Sequence, residues 1–340
     1  MPKTPKHILV IRLSAMGDVA MTVPVLSAFS QQFPDVKITV LTREFFTPFF
    51  RNLPNVEVFF IDVKVKHKGV LGLYKLSKEL KALNIDAIAD LHNVLRTKIL
   101  KLFLIGKPFI QIDKGRAKKK ALVSGQEFKQ LKTTHQRYAD VFKALGFNVD
   151  LENPSFPETV QLNKNILSKT GTRSRKWIGI APFAAHASKM YPMDMMKEVI
   201  GELSKKYQVL LFGGGSQEIK TLKSIASKSE NIVNLAGELN LNEELDVISN
   251  LDVMLSMDSG NAHLAAMLGK KVITIWGVTH PYAGFAPFNQ PEDFALVADR
   301  EQFPLIPTSV YGNKYPETYR EASRSISSQE IINKIESILR

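Results

Sequence analysis

The sequence predicts an α/β protein of two similar domains, each an open, doubly wound parallel sheet, and three observations carry that reading. Short apolar runs alternate with helical periodicity twice over. A polar, Pro-bearing stretch from Asn148 to Lys176 interrupts the alternation near the middle. The chain has 340 residues, 44% of them hydrophobic and 23% charged, which suits two cores of middling size.

In chain order, strands are predicted at Ile8 to Leu13, Lys37 to Leu41, Val56 to Ile61, Asp86 to Leu91 and Pro108 to Ile112. Helical patterns such as Val19 to Gln32 and Leu71 to Leu83 separate them, and Pro24 predicts a kink in the first. Beyond the linker, strands are predicted at Trp177 to Ala181, Gln208 to Phe212, Ile232 to Leu235, Val253 to Met257 and Lys271 to Trp276. Helices are predicted around Met193 to Lys205 and Glu218 to Ser227. A last helical pattern, Ser327 to Leu339, is expected to pack back on the first domain. The expected division is 1–160, 161–325 and a closing helix over 326–340. Ligands of such sheets lie beyond the carboxyl ends of the strands, so the loops there are where chemistry is sought.

Composition removes several function classes. No cysteine is present, so disulfides, thiolate metal sites and a cysteine nucleophile are excluded. The start, MPKTPKHILVIRL, has an apolar run too short for a signal peptide and lacks a small-residue cleavage site. No segment approaches the ~20 apolar residues of a spanning helix, so a soluble protein is expected. The net charge of +12 is uneven: residues 1–160 carry 25 Lys and Arg against 14 Asp and Glu, the remainder 20 against 19. Arg96 to Lys120 alone holds nine basic residues against the single acid Asp113. Charge runs are usually solvated helix faces, but clustered cations also attract a phosphate-rich substrate, an anionic membrane or nucleic acid. No aromatic-basic RNP-type motif or recognition-helix module is present, which makes nucleic-acid binding the remote reading.

Four loops carry candidate chemistry. In DSGNAHLAAMLGKKVITIWG, the strand ending at Met257 gives way to Asp258, a turn at Gly260 and a helix whose free N–H groups suit a diphosphate. Asp258 or Ser259 as an ordinary N-cap is the bland alternative. His263, on the first turn of that helix, is near enough to donate toward the same anion, or is a satisfied half-buried histidine. APFAAHASKMYP places Lys189 before the next helix, where one cation could reach a phosphate; an exposed lysine is the commoner explanation. FGGGSQEIK sets three glycines after a strand and Glu218 on the following turn, where an acid can accept hydrogen bonds from ribose hydroxyls. The first loop, Ser14 to Asp18, has neither GxGxxG nor a Walker lysine, which disfavours a dehydrogenase and a P-loop ATPase. Asp18 there is either an N-cap or a general base.

Taken together, RLSAMGDVAMTVPVL, SKMYP and MDSGNAHLAAMLGKKVITIWG resemble glycosyltransferase family nine, the ADP-heptose:lipopolysaccharide heptosyltransferases. ADLHNVLRTKILKLFLIG and THQRYADVFKALGF support the resemblance, which spans Ile8 to about Pro287. It implies the GT-B fold, two Rossmann-like domains facing a central cleft, with the nucleotide-sugar held mainly by the second and the acceptor by the first. The family's catalytic aspartate falls on Asp18 and its phosphate-binding lysine on Lys189. Its D-[TS]-G-x-x-H turn falls on Asp258, Ser259, Gly260 and His263. Glu218 is the nearest match to the acidic ribose contact, and His135 to a histidine facing the acceptor, with Arg96 and Lys98 as further acceptor contacts from the basic stretch. Two positions depart from the family pattern. Tyr191 stands where Trp is usual, and VTHPYAGFAP, with Tyr282, Phe285 and nearby Phe288, stands where GPTDP is usual.

The implied reaction is inverting transfer of a heptose or related sugar from an ADP-sugar to the phosphorylated inner core of a lipid A precursor. Asp18 would take the acceptor proton while Lys189, the N–H groups at Ser259 and Gly260, and His263 stabilise the leaving diphosphate. No D-x-D pair occurs at these loops, so no metal or other cofactor is called for. A cytoplasmic enzyme peripheral to the inner membrane face is expected, bound reversibly to anionic lipid through Arg96 to Lys120 and Lys64 to Lys81. Another GT-B transferase or a sugar-nucleotide epimerase is the rival reading.

Overall fold

The computed structural model describes residues 4–340 and divides into two compact units. The first runs to Lys114 and resumes over Lys132–Phe156; the second takes Gly115–Leu131 and Pro157–Arg340.

In the first unit, β1 (His7–Ile11), β2 (Lys37–Thr42), β3 (Val56–Phe60), β4 (Ala87–Asp90) and β5 (Phe109–Gln111) form a parallel sheet in the order β3-β2-β1-β4-β5. Strand β1 pairs with β2 on one side and β4 on the other, so the winding reverses between β1 and β4. The helix after β1 is split into α1 (Met16–Ala20) and α2 (Thr22–Gln32). Pro24 explains the break: its ring conflicts with the carbonyl of Ala20, where α1 ends. Helices α3 (Gly69–Lys81) and α4 (Leu95–Phe103) lay Leu73, Leu76, Leu80 and Leu100 against Leu9, Ile11, Leu41 and Ile88 of the sheet.

The basic helix α5 (Arg116–Val123) belongs to the second unit, not the first as its place in the sequence suggests. Leu122 and Leu131 cluster with Ala283, and the Leu131 N–H donates to the Tyr282 carbonyl at 2.9 Å. Lys119 Nζ lies 3.9 Å from the Phe285 ring centroid, and the Arg300 guanidinium 3.5 Å from that of Phe128. The aromatic departures Tyr282 and Phe285 therefore anchor this segment, and part of the basic stretch moves with it. Helix α6 (Thr134–Ala144) returns the chain to the first unit, started by a reciprocal cap between Thr133 and Gln136.

After α7 (Lys164–Thr170), the second sheet is built from β6 (Trp177–Ala181), β7 (Gln208–Leu211), β8 (Ile232–Asn234), β9 (Val253–Met257), β10 (Lys271–Trp276) and β11 (Ala295–Val297). Its order is β11-β10-β9-β6-β7-β8, all parallel, with the reversal between β6 and β9. Its helices are α8 (Met193–Ser204), α9 (Ser216–Ala226), α10 (Leu241–Ser249), α11 (Gly260–Met267) and α12 (Ser328–Leu339). Helix α12 packs on the second unit, which corrects the expectation that it returns to the first. Ile331, Ile335 and Leu339 share a core with Val199, Leu203 and Leu255, and Lys206 pairs with Glu336 at 2.7 Å. The periodicity announces an apolar stripe without naming its partner.

Candidate functional site

Each sheet collects its polar groups at the point where strand order reverses, the position at which doubly wound sheets bind ligands. In the first unit this brings the ends of β1 and β4 together. Arg12, just past β1, donates to the Leu91 carbonyl at 2.7 Å and lies 2.5 Å from Asp18 Oδ2. Asp18 occupies the first turn of α1 rather than its N-cap, and its Oδ2 also accepts from the Ala15 N–H at 3.3 Å. The Tyr138 hydroxyl of α6 donates to the Asp18 carbonyl at 3.2 Å. That aspartate is thereby fixed by its backbone and its carboxylate, while its side chain stays 29% exposed.

The β4–α4 loop forms the facing wall. Asp90, fully buried, accepts from the N–H groups of His92 and Asn93 and from the Gln111 amide. Burial, with the Arg12 cation adding to it, pulls the His92 imidazole down to about 4, so the ring is neutral at pH 7. Arg96 and Lys98 follow on the first turn of α4, the former half-buried and the latter exposed. His135 lies at the start of α6 with its side chain buried.

In the second unit the loops after β6 and β9 meet. Lys189 ends a short 3-10 turn, Ala187–Lys189, and its Nζ lies 2.8 Å from Asp258 Oδ2. The same carboxylate oxygen accepts from the Thr279 hydroxyl at 2.9 Å. Neither Asp258 nor Ser259 caps α11 through its side chain. Ser259 sits at the cap of α11 but makes no side-chain cap bond, its hydroxyl meeting that of Ser256 at 3.1 Å. The start of α11 is therefore without a side-chain cap. His263 is buried one turn in.

Two glycines make the lysine's seat possible. A Cβ on Gly277 would collide with the Ser188 carbonyl. Gly312, at φ +79°, lies flat against the Lys189 stem, where a Cβ would stand 2.6 Å from Cγ, and its carbonyl accepts from the Ser188 hydroxyl. Residues 309–312, unread in the sequence, therefore position Lys189. The Gly213–Gly215 turn wraps Glu218, whose Oε2 accepts from the Gly214 N–H at 2.8 Å. Phe183, from the loop after β6, touches the Gly213 position, so this acid neighbours the Lys189 loop. Among the described residues, no group of three or more His, Cys, Asp or Glu could hold a metal ion.

Asp18, Lys189, Asp258, Ser259, Gly260 and Glu218 thus lie at strand-end loops, as the sequence predicts. Arg12, His92, Thr279 and Gly277 join these loops from positions that no motif marks. Arg12 had one signal, a lone cation ending an otherwise apolar strand.

Two Rossmann-like sheets with polar groups gathered at both reversals define a protein of the GT-B type. Residues 73–304 match the profile of glycosyltransferase family 9 (heptosyltransferase), and the chain belongs to that family; it is a glycosyltransferase. It is 26% identical over 309 residues to the lipopolysaccharide core heptosyltransferase OpsX of Haemophilus influenzae, covering 87% of this chain and 85% of that one. Lipopolysaccharide heptosyltransferase 3 of Escherichia coli is 25% identical over 281 residues, covering 77% and 80%. Among solved structures, a family 9 glycosyltransferase from Veillonella parvula superposes with a TM-score of 0.76 at 18% identity, covering 98% and 97%. The E. coli heptosyltransferase WaaC with ADP gives 0.70 at 20%, covering 98% and 99%.

Proposed function

We propose that the chain transfers a heptose from ADP-heptose to the phosphorylated inner core of lipopolysaccharide, with inversion at the anomeric carbon. The observation that carries this reading is the Lys189–Asp258 pair at the β6/β9 reversal, which seats a cation beside the uncapped start of α11. A nucleoside diphosphate leaving group needs charge stabilisation of that kind. Lys189 and the N–H groups at Ser259 and Gly260 take up the leaving charge, with His263 as a further donor. Glu218 accepts from the ribose.

Asp18 takes the acceptor hydroxyl's proton. Arg12 holds the carboxylate in place at 2.5 Å, and the exposed fraction of the side chain gives a hydroxyl access to it. Arg96 and Lys98 meet acceptor phosphates. The names of the relatives support the lipopolysaccharide acceptor, and the WaaC structure with ADP supports the nucleotide. Since the acceptor is a lipid, the enzyme works at the inner face of the cytoplasmic membrane. No helix among the described residues is long and apolar enough to cross a membrane.

Thermal shift against ADP, UDP and GDP and their sugars tests the donor. Stabilisation by the adenine nucleotides alone is expected. Equal or greater stabilisation by UDP species would turn the reading toward another GT-B transferase or an epimerase.

A further inference from the structure

Helices α3 and α4 bury one face each against the first sheet, and on the other, with the loops that flank them, large apolar side chains stand exposed among lysines. Leu71 is 84% exposed, Leu102 66% and Ile105 81%, with Val65, Val70, Tyr74 and Leu95 also exposed. These seven are more than half of the thirteen large apolar side chains exposed among the described residues, although the region spans only 41 positions. The two helices pack side by side, the Tyr74 and Phe103 rings meeting at 5.5 Å. None of the exposed apolar side chains belongs to the sheet-facing stripe of Leu73, Leu76, Leu80, Leu100 and Leu104.

The charge around them has one sign. Lys64, Lys66, Lys68, Lys75, Lys78 and Lys81 flank α3, and Arg96, Lys98, Lys101 and Lys107 flank α4. Within these two stretches the only acid is Glu79, already paired with Lys66 at 3.0 Å. Lys78 Nζ lies 4.7 Å from the Tyr74 ring centroid, the arrangement of an amphipathic stem lying along apolar surface with its charge at the rim. Apolar fingers inside a cationic rim match the two layers of an anionic bilayer, phosphates outside and hydrocarbon beneath. A second copy of the chain offers no such match, because an isologous contact would set this cationic rim against itself.

We propose that the outward face of α3 and α4 is the docking surface for an anionic lipid bilayer. Leu71, Leu102 and Ile105 enter the acyl boundary while the surrounding lysines other than Lys98, Lys64 to Lys81 with Lys101 and Lys107, meet lipid phosphates. This deepens, and rests on, the reading that the acceptor is a membrane lipid. The two are tested separately by using vesicles that contain no lipopolysaccharide.

The experiment is cosedimentation of the full chain with phosphatidylcholine vesicles, with or without one part in three of phosphatidylglycerol. Wild type is expected to bind the anionic vesicles roughly tenfold or more tightly than the neutral ones, and less well as salt rises. The triple variant Leu71→Ser, Leu102→Ser, Ile105→Ser should lose most of that binding, about tenfold, since each side chain removes several buried CH₂ groups. All three positions are exposed, so its melting temperature and its ADP-induced shift should match wild type. Leu305→Ser, also exposed but in the second unit, serves as control and should bind as wild type. Equal wild-type binding to neutral and anionic vesicles overturns the proposal, as does full binding by the triple variant. A wild-type dimer that the triple variant converts to monomer also overturns it, assigning the face to self-association. An intact ADP shift in any of these cases leaves the donor reading standing.

Discussion

Lys189 and Asp258, 69 positions apart in the chain, meet at 2.8 Å because β6 and β9 are neighbours at the reversal of the second sheet. Both side chains are largely buried, so the pair is shielded from the solvent that makes surface ion pairs weak.

Lys189→Met should therefore weaken ADP binding. A lost charge-assisted hydrogen bond costs roughly 1.5–3 kcal/mol, or about ten- to 150-fold in Kd. The variant should also melt earlier, because the buried Asp258 carboxylate loses its cation and is left with the Thr279 hydroxyl. Calorimetric titration with ADP checks the first effect; unchanged affinity would remove Lys189 from the diphosphate site.

Asp18→Asn and Arg12→Gln separate chemistry from positioning. Removal of a general base should cut kcat by ~10²- to 10⁴-fold with ADP stabilisation unchanged. Arg12→Gln should lower kcat less, about tenfold, since the carboxylate loses the partner at 2.5 Å that holds it in place but keeps its own oxygens. Near wild-type transfer by folded Asp18→Asn protein would rule out its base role.

Gly277→Ala tests the seat of the lysine. The added methyl must displace the Ser188 carbonyl, and overpacking of this kind costs about 1–3 kcal/mol. A lower melting temperature together with weaker ADP binding is expected. If only stability falls, the Ser188–Lys189 turn does not set the cation's position.

His92 gives a pH signature. In the folded protein it titrates at about 4, below its ordinary 6.5, so between those values the unfolded chain binds a proton that the native state does not. Its contribution to stability is complete above about pH 6.5 and is lost as pH falls toward 4. His280, buried and lowered to about 4, acts in the same window. Melting curves of His92→Gln from pH 7 to 4 should decline less steeply than those of wild type. Parallel curves would mean that His92 does not drive the decline.

Ten of the eleven described strands were legible because they are short apolar runs bounded by turn residues, and the central ones, such as β1, β6 and β9, are buried along nearly their whole length. Strand β11 has no such signature: three residues, Ala295–Val297, following a Pro-rich loop carry no period. The candidate site was legible wherever a motif sits in one loop, as with Asp258 to His263. It was not where the partner comes from elsewhere in the chain. Thr279 reaches Asp258 across 21 positions and Arg12 reaches the Leu91 carbonyl across 79, and only the sheet order brings them together. The Leu122 and Leu131 contacts were hidden for the same reason, and continuity assigned their segment to the wrong unit.

That detour of Gly115–Leu131 has a practical consequence for anyone wishing to dissect the enzyme. The polypeptide passes from one unit to the other three times, so no single cut yields two self-sufficient halves. A fragment ended near residue 160 would carry away Leu122, Leu131 and Phe128, and its complement would be left with Ala283, Tyr282 and Phe285 uncovered. Both pieces would expose sticky surface and tend to aggregate. Separable domains would require excising the loop and grafting it onto the carboxy-terminal piece.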